Sequence, residues 1–99
     1  MNEFIPSEFF LSQNYPNPFK EKTIIKYCVA FKTRVQLTVY NSKGKMIEKL
    51  VDEKKQPGTY EVEFNTVETH RGKSLQSGTY SYRLEAGNYS GEKKMEKTK

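Results

Sequence analysis

The sequence predicts an all-β domain, an antiparallel β-sandwich of about seven strands. Three observations carry that prediction. Short stretches alternate apolar and polar residues, as where Tyr80, Tyr82 and Leu84 fall on one side of a strand and Ser81, Arg83 and Glu85 on the other. Glycine- or proline-containing turns separate such stretches at intervals of about ten residues. No segment carries a helical period.

Two stretches organise the rest. Gly78-Thr79-Tyr80-Ser81-Tyr82-Arg83-Leu84 reads as a central strand opened by a glycine. Gly58-Thr59-Tyr60-Glu61-Val62-Glu63-Phe64 repeats the scheme 20 positions earlier, with Tyr60, Val62 and Phe64 on the apolar face. The 99 residues suffice for a single domain with one core, since burial exceeds the roughly 60% of unfolded surface hidden by a domain of about 60 residues. With 34% hydrophobic residues, 7 Tyr and 6 Phe, the composition is that of a folding chain.

Taken in order, Met1 to Glu8 is expected to be a linker from an upstream domain, kept extended by Pro6, with the sandwich spanning Phe9 to Lys99. Phe9-Phe10-Leu11 forms a short edge strand. Ser12 to Phe19 contains Asn14-Tyr15-Pro16-Asn17-Pro18-Phe19, whose X-Pro bonds forbid helix and impose a fixed turn. Tyr15 and Phe19 are expected to pin that turn to the core, and its role stays open between closing one end of the domain and recognition. Thr23 to Ala30 is the second strand, with Ile25, Tyr27 and Val29 on one face. Arg34 to Tyr40 is the third, with Val35, Leu37 and Val39 inward and Gln36, Thr38 and Tyr40 outward.

Asn41-Ser42-Lys43-Gly44 is a turn, and Lys45 to Val51 the fourth strand. There Ile47, Leu50 and Val51 break strict alternation, the mark of a bulge or a change of sheet. Asp52 to Gly58 is polar and reads as a turn, Thr59 to Asn65 as the fifth strand. Thr66 to Ser77 is the longest connection, anchored by Leu75. After the sixth strand, Gly87-Asn88 closes a hairpin with the last, Tyr89 to Met95, and Glu96 to Lys99 is a polar tail. The order suggests an immunoglobulin-like or fibronectin-type-III-like arrangement, without the Cys-Trp-Cys core of antibody domains, since there is 1 Cys and no Trp.

The net charge of +5 comes almost wholly from scattered lysines. Lysines on solvent faces and strand edges discourage edge-to-edge pairing. Only Arg34, Arg71 and Arg83 could make bidentate contacts, and no nucleic-acid motif is found. Cys28, the single cysteine, excludes an intrachain disulfide and reads as a packed strand residue. No run of apolar residues is long enough for a membrane span. Met1 to Phe10 lacks the basic start and apolar core of a signal peptide, so the chain reads as cytosolic or as a piece of something longer.

Candidate catalytic groups are few: Asp52, His70 and Cys28 occur once each, in separate segments, and no glycine-flanked serine elbow accompanies them. An enzyme would need His70 to meet Asp52 or Glu68 beside a nucleophile. Glu61 and Glu63 share a strand face but sit among lysines as solvated charges. Neither zinc nor calcium finds a ligand set, the glycines fall one per turn, and no cofactor is expected. Tyr15, Tyr40 and Tyr89 could form a sugar-stacking face, which keeps a β-sandwich module binding carbohydrate or a protein surface as the alternative function.

Read as an ordered set, one series goes further: Leu11 to Phe19 with its Asn-Tyr-Pro-Asn-Pro-Phe element, Thr23-Ile24-Ile25-Lys26-Tyr27, Val39-Tyr40-Asn41 before Gly44, Pro57-Gly58-Thr59-Tyr60, Ser77-Gly78-Thr79-Tyr80-Ser81-Tyr82-Arg83-Leu84, and Lys93-Lys94-Met95. It resembles the C-terminal sorting domains of the type IX (Por) secretion system of Bacteroidota. The resemblance covers Phe9 to the end. It implies a non-catalytic address label on a larger secreted protein, in transit through the periplasm and then secreted or held at the cell surface. The implied partners are outer-membrane export machinery proteins and an upstream cargo domain. The family's recognition determinants would map to the last strand, here Tyr89, Lys93, Lys94, Met95, Lys97 and Lys99, while Asn14 to Phe19, Gly58, Tyr60, Gly78, Tyr80, Tyr82 and Leu84 form the structural motif. The ending Met95-Glu96-Lys97-Thr98-Lys99 departs from the apolar finish common in the family. A monomer is expected, with a bare edge strand as the route to a dimer.

Overall fold

The structure, a computed structural model, describes residues 7–67 and 75–99. Its strands are β1 (Phe10–Leu11), β2 (Lys22–Val29), β3 (Thr33–Tyr40), β4 (Met46–Lys55), β5 (Gly58–Asn65), β6 (Gly78–Ala86) and β7 (Tyr89–Lys97). They form a 3-stranded sheet in the order β1-β2-β5 and a 4-stranded sheet in the order β4-β3-β6-β7, antiparallel throughout. This is the expected sandwich, with β6 central in its sheet. Most of the expected linker, Met1 to Pro6, lies outside the described residues, as do Glu68, His70 and Arg71.

The alternation of each strand becomes the core. Ile25, Tyr27 and Val29 of β2 face Val35, Leu37 and Val39 of β3 and Tyr82 and Leu84 of β6, all essentially fully buried. Fully burying each such side chain stabilises by about 1.5 to 3 kcal/mol. Two core tyrosines are anchored differently: the Tyr82 hydroxyl donates to the Ser12 carbonyl at 2.7 Å, and the Tyr27 ring stacks on Tyr60 with ring centroids 5.4 Å apart. Leu75 packs against this core from the long connection, as expected.

The two Gly-Thr-Tyr openings prove to be one device used twice. The Tyr60 hydroxyl donates to the Gln56 carbonyl at 2.6 Å and the Tyr80 hydroxyl to the Gln76 carbonyl at 2.7 Å. Each is a tyrosine corner, in which a strand's early tyrosine ties down the backbone leading into it. Gly78, at φ 141, takes a conformation that side-chain-bearing residues rarely adopt.

The ends of β4 and β7 and the facing of Thr38 differ from the sequence expectation. β4 continues through Asp52 to Lys55, which the polar composition had placed in a turn. As an edge strand it needs no apolar outer row, and Asp52 is held by Arg34 at 2.6 Å and by Gln36 at 3.3 Å. The broken alternation of this strand is a bulge rather than a change of sheet: pairing with β3 slips once opposite Leu50 and once opposite Ile47, turning both toward the core. β7 runs on to Lys97, two residues past its expected end, and Thr38, expected outward, is covered between Arg83 and Lys49 in the register.

Candidate functional site

The segment Gln13 to Phe19 and the last strand, far apart in sequence, meet along the outer edge of β7. Proline supplies no N–H, so a chain with Pro16 and Pro18 in close succession must satisfy its neighbours with side chains. Both the Tyr15-Pro16 and Asn17-Pro18 bonds are cis. Asn17 Oδ1 accepts the Glu96 N–H at 2.9 Å, and Gln13 Nε2 donates to the Lys94 carbonyl at 2.6 Å. Phe19 then continues with main-chain bonds, its N–H to the Glu96 carbonyl at 3.0 Å and its carbonyl from the Thr98 N–H at 2.8 Å. The segment therefore clasps β7 from outside while β6 pairs with it from inside across the whole Gly78–Ala86 span.

The clasp is fixed to the opposite sheet by Asn14. Its Nδ2 donates to Thr23 Oγ1 at 3.0 Å and to the Pro16 carbonyl at 3.1 Å, and its Oδ1 accepts Gln13 Nε2 at 2.8 Å. Thr23, itself buried, donates to the Pro16 carbonyl at 2.9 Å. Tyr15, expected to pin the turn, does not: its ring is 79% exposed. The backbone of Tyr15 pairs with Ile24, which faces the ring away from the core. Phe19 is buried as expected, edge-on to Phe64.

The strand's candidate recognition residues split between its two faces. Lys94 and Lys99 are exposed, and Lys93 and Tyr89 are half-buried on the inner side. Met95 and Lys97 are buried, with Lys97 Nζ donating to the Thr98 carbonyl at 3.1 Å. Lys93, Lys94 and Met95 therefore do not make one surface, because adjacent strand residues point to opposite faces. Of the tyrosines considered for a sugar platform, Tyr40 lies under Arg83 at 5.6 Å and Tyr89 stacks on Phe9 at 5.7 Å, so no row of exposed rings exists among them.

Of the residues considered for catalysis, the two that are described, Cys28 and Asp52, are not brought together, and His70 and Glu68 lie outside the described residues. Cys28 sits half-buried on β2 with Sγ 3.6 Å from Thr59 Oγ1, while Asp52 is on β4 of the other sheet. Hydrogen bonding from Gln36, reinforced by Arg34 and Lys49, holds the Asp52 carboxyl below its usual range. Glu61 and Glu63 pair with Lys26 at 3.4 Å and Lys22 at 3.8 Å, as solvated cross-strand pairs. Among the described residues no cluster of metal-ligating side chains occurs, and no helix is long and apolar enough to cross a membrane.

The described residues thus form an antiparallel β-sandwich whose first loop and last strand are locked together. The chain is a member of the secretion system C-terminal sorting domain family, whose model matches residues 13–97, from the first residue of the clasp to the last of β7. This family comprises the sorting signals of type IX secretion. In three dimensions the chain is similar to part of a solved structure, dimeric latent PorU from Porphyromonas gingivalis, with a TM-score of 0.68 and 16% identity. The match covers 94% of this chain and 10% of that one, and it shows a shared fold. No curated protein matches the chain in sequence.

Proposed function

We propose that Phe9 to Lys99 is a non-catalytic label that directs an upstream cargo through the outer membrane by the type IX system. In this reading residues 1–8 link the label to that cargo, and outer-membrane export proteins read the last strand. The observation that supports it best is the double attachment of β7. A strand already held in one shape presents its side chains to a receptor without an ordering cost, and here Gln13, Asn17 and Phe19 hold β7 on one side and β6 on the other. Lys94 and Lys99 are then the residues free to touch a receptor, whereas Met95 and Lys97 act by keeping the strand in place.

The test is a fusion of a signal peptide, a fluorescent cargo and Phe9 to Lys99, expressed in a bacterium with a type IX system and in its export-deficient mutant. Cargo outside the first and trapped in the periplasm of the second is the expected result. Cargo held in the periplasm of both, with the fusion intact and folded, would reject the reading. Replacing Lys94 by alanine should lower export severalfold without changing the unfolding midpoint.

A further inference from the structure

A sandwich has four sheet edges, each a template for an extra strand unless something blocks it. Three are blocked here, by different means. β1 is only 2 residues long. β4 is bulged twice and carries Lys49, Lys54 and Lys55. β7 is covered by the clasp and turns Lys93 and Lys97 inward. The fourth, β5, has none of these guards: Gly58–Asn65 contains no lysine or proline, and its pairing with β2 runs unbroken from Gly58 to Asn65.

Which of its backbone groups face outward follows from the far side of β2. Ile24 exchanges N–H and C=O bonds with Tyr15, and the Lys26 carbonyl accepts from Ser12, so both residues point away from β5. Their register partners are Glu63 and Glu61. In an antiparallel ladder such partners turn their own N–H and C=O away as well. Thr59, Glu61 and Glu63 therefore offer their main-chain donors and acceptors on the open side, with no strand there among the described residues.

We infer that this edge accepts an extended segment of another protein, one that alternates apolar with basic residues, by strand addition. The side chains choose the occupant. Glu61 and Glu63 are exposed and form the outer row, each already flanked by a β2 lysine, so a cation on an added strand would complete a lysine–glutamate–cation row across the sheet. The intervening Val62 is only partly buried and would be covered by an apolar side chain of that strand. Lys55 lies over the Tyr60 ring at 4.9 Å and is itself paired with Glu53 at 2.9 Å, so the outer row of Glu61 and Glu63 stays acidic. A second copy is disfavoured, because antiparallel pairing of β5 with itself about Val62 sets Glu61 against Glu63 twice. The inference is independent of export.

The experiment uses the full chain and a capped peptide alternating valine with lysine, with the valine–glutamate peptide as control, read by residue-resolved amide exchange. The lysine peptide should slow exchange at Thr59, Glu61 and Glu63 at least tenfold, leaving the amides of Tyr60 and Val62, which already face β2, unchanged. Glu61→Pro removes one outward N–H without touching a β2 bond and should abolish the effect. Should that variant fail to fold, the double reversal Glu61→Lys with Glu63→Lys should transfer the effect to the glutamate peptide. No slowing with the lysine peptide, equal slowing by both peptides, or slowing that appears without peptide as protein concentration rises would each overturn the proposal, the last by making a second copy the occupant.

Discussion

Asn14, not Tyr15, holds the proline-rich segment to the sandwich, and the two invite opposite outcomes on substitution. Asn14→Ala removes bonds to Thr23, to the Pro16 carbonyl and from Gln13 in a buried setting. It should lower stability by about 2 kcal/mol. Tyr15→Ala removes an exposed ring and should change stability by less than about 0.5 kcal/mol. Urea unfolding of both variants checks the contrast. At the two tyrosine corners, Tyr60→Phe and Tyr80→Phe each remove one hydroxyl bond to backbone and should each cost about 1 kcal/mol. Midpoints equal to the wild type would show that the rings alone, and not the hydroxyl groups, fasten these strands.

The elements differ in how far their residues announce them. β2, β3, β5 and β6 have one face in the core and are legible from alternation alone, whereas the irregular spacing of Ile47, Leu50 and Val51 left a bulge and a change of sheet both open, and the pairing with β3 shows the bulge. The polar half of β4 is not legible in this way, because an edge strand paired on one side by charged residues has the composition of a loop. The end of β7 was missed for a different reason. Glu96 and Lys97 are held by Asn17 and Phe19, and the Glu96–Asn17 bond spans a sequence separation of 79, which leaves no local period. The one available signal was chemical: amide side chains placed between prolines are where a chain short of N–H groups needs substitutes. Phe19→Ala, which empties a buried site under the clasp, should cost about 3 to 5 kcal/mol. Asn17→Ala should leave the fold intact and speed amide exchange at Glu96 severalfold, as measured residue by residue.

For the molecule as a whole, the buried phenols set a limit on alkaline stability. Burial pushes Tyr82 and Tyr27 each up to about 12, with Tyr60 and Glu53 adding to the effect at Tyr27. An unfolded tyrosine ionises near pH ~10. Between those values the unfolded chain releases protons that the folded chain retains, so stability falls as pH rises from about 10 to about 12. Urea midpoints should therefore drop between pH ~9 and pH ~11.5, and the drop should shrink in a Tyr82→Phe variant.

At the same scale, the proposed sorting role rests on a last strand held in a single shape by a distant loop. Export of the fluorescent cargo carrying Phe9 to Lys99 tests this most directly when wild type, Asn17→Ala and Tyr80→Phe are compared in one type IX host. The two variants each lose one hydrogen bond, but only the first loosens β7. The expected result is export of wild type and Tyr80→Phe at similar levels and a severalfold deficit for Asn17→Ala. Export of Asn17→Ala at the wild-type level, with its Glu96 amide demonstrably released, would contradict it.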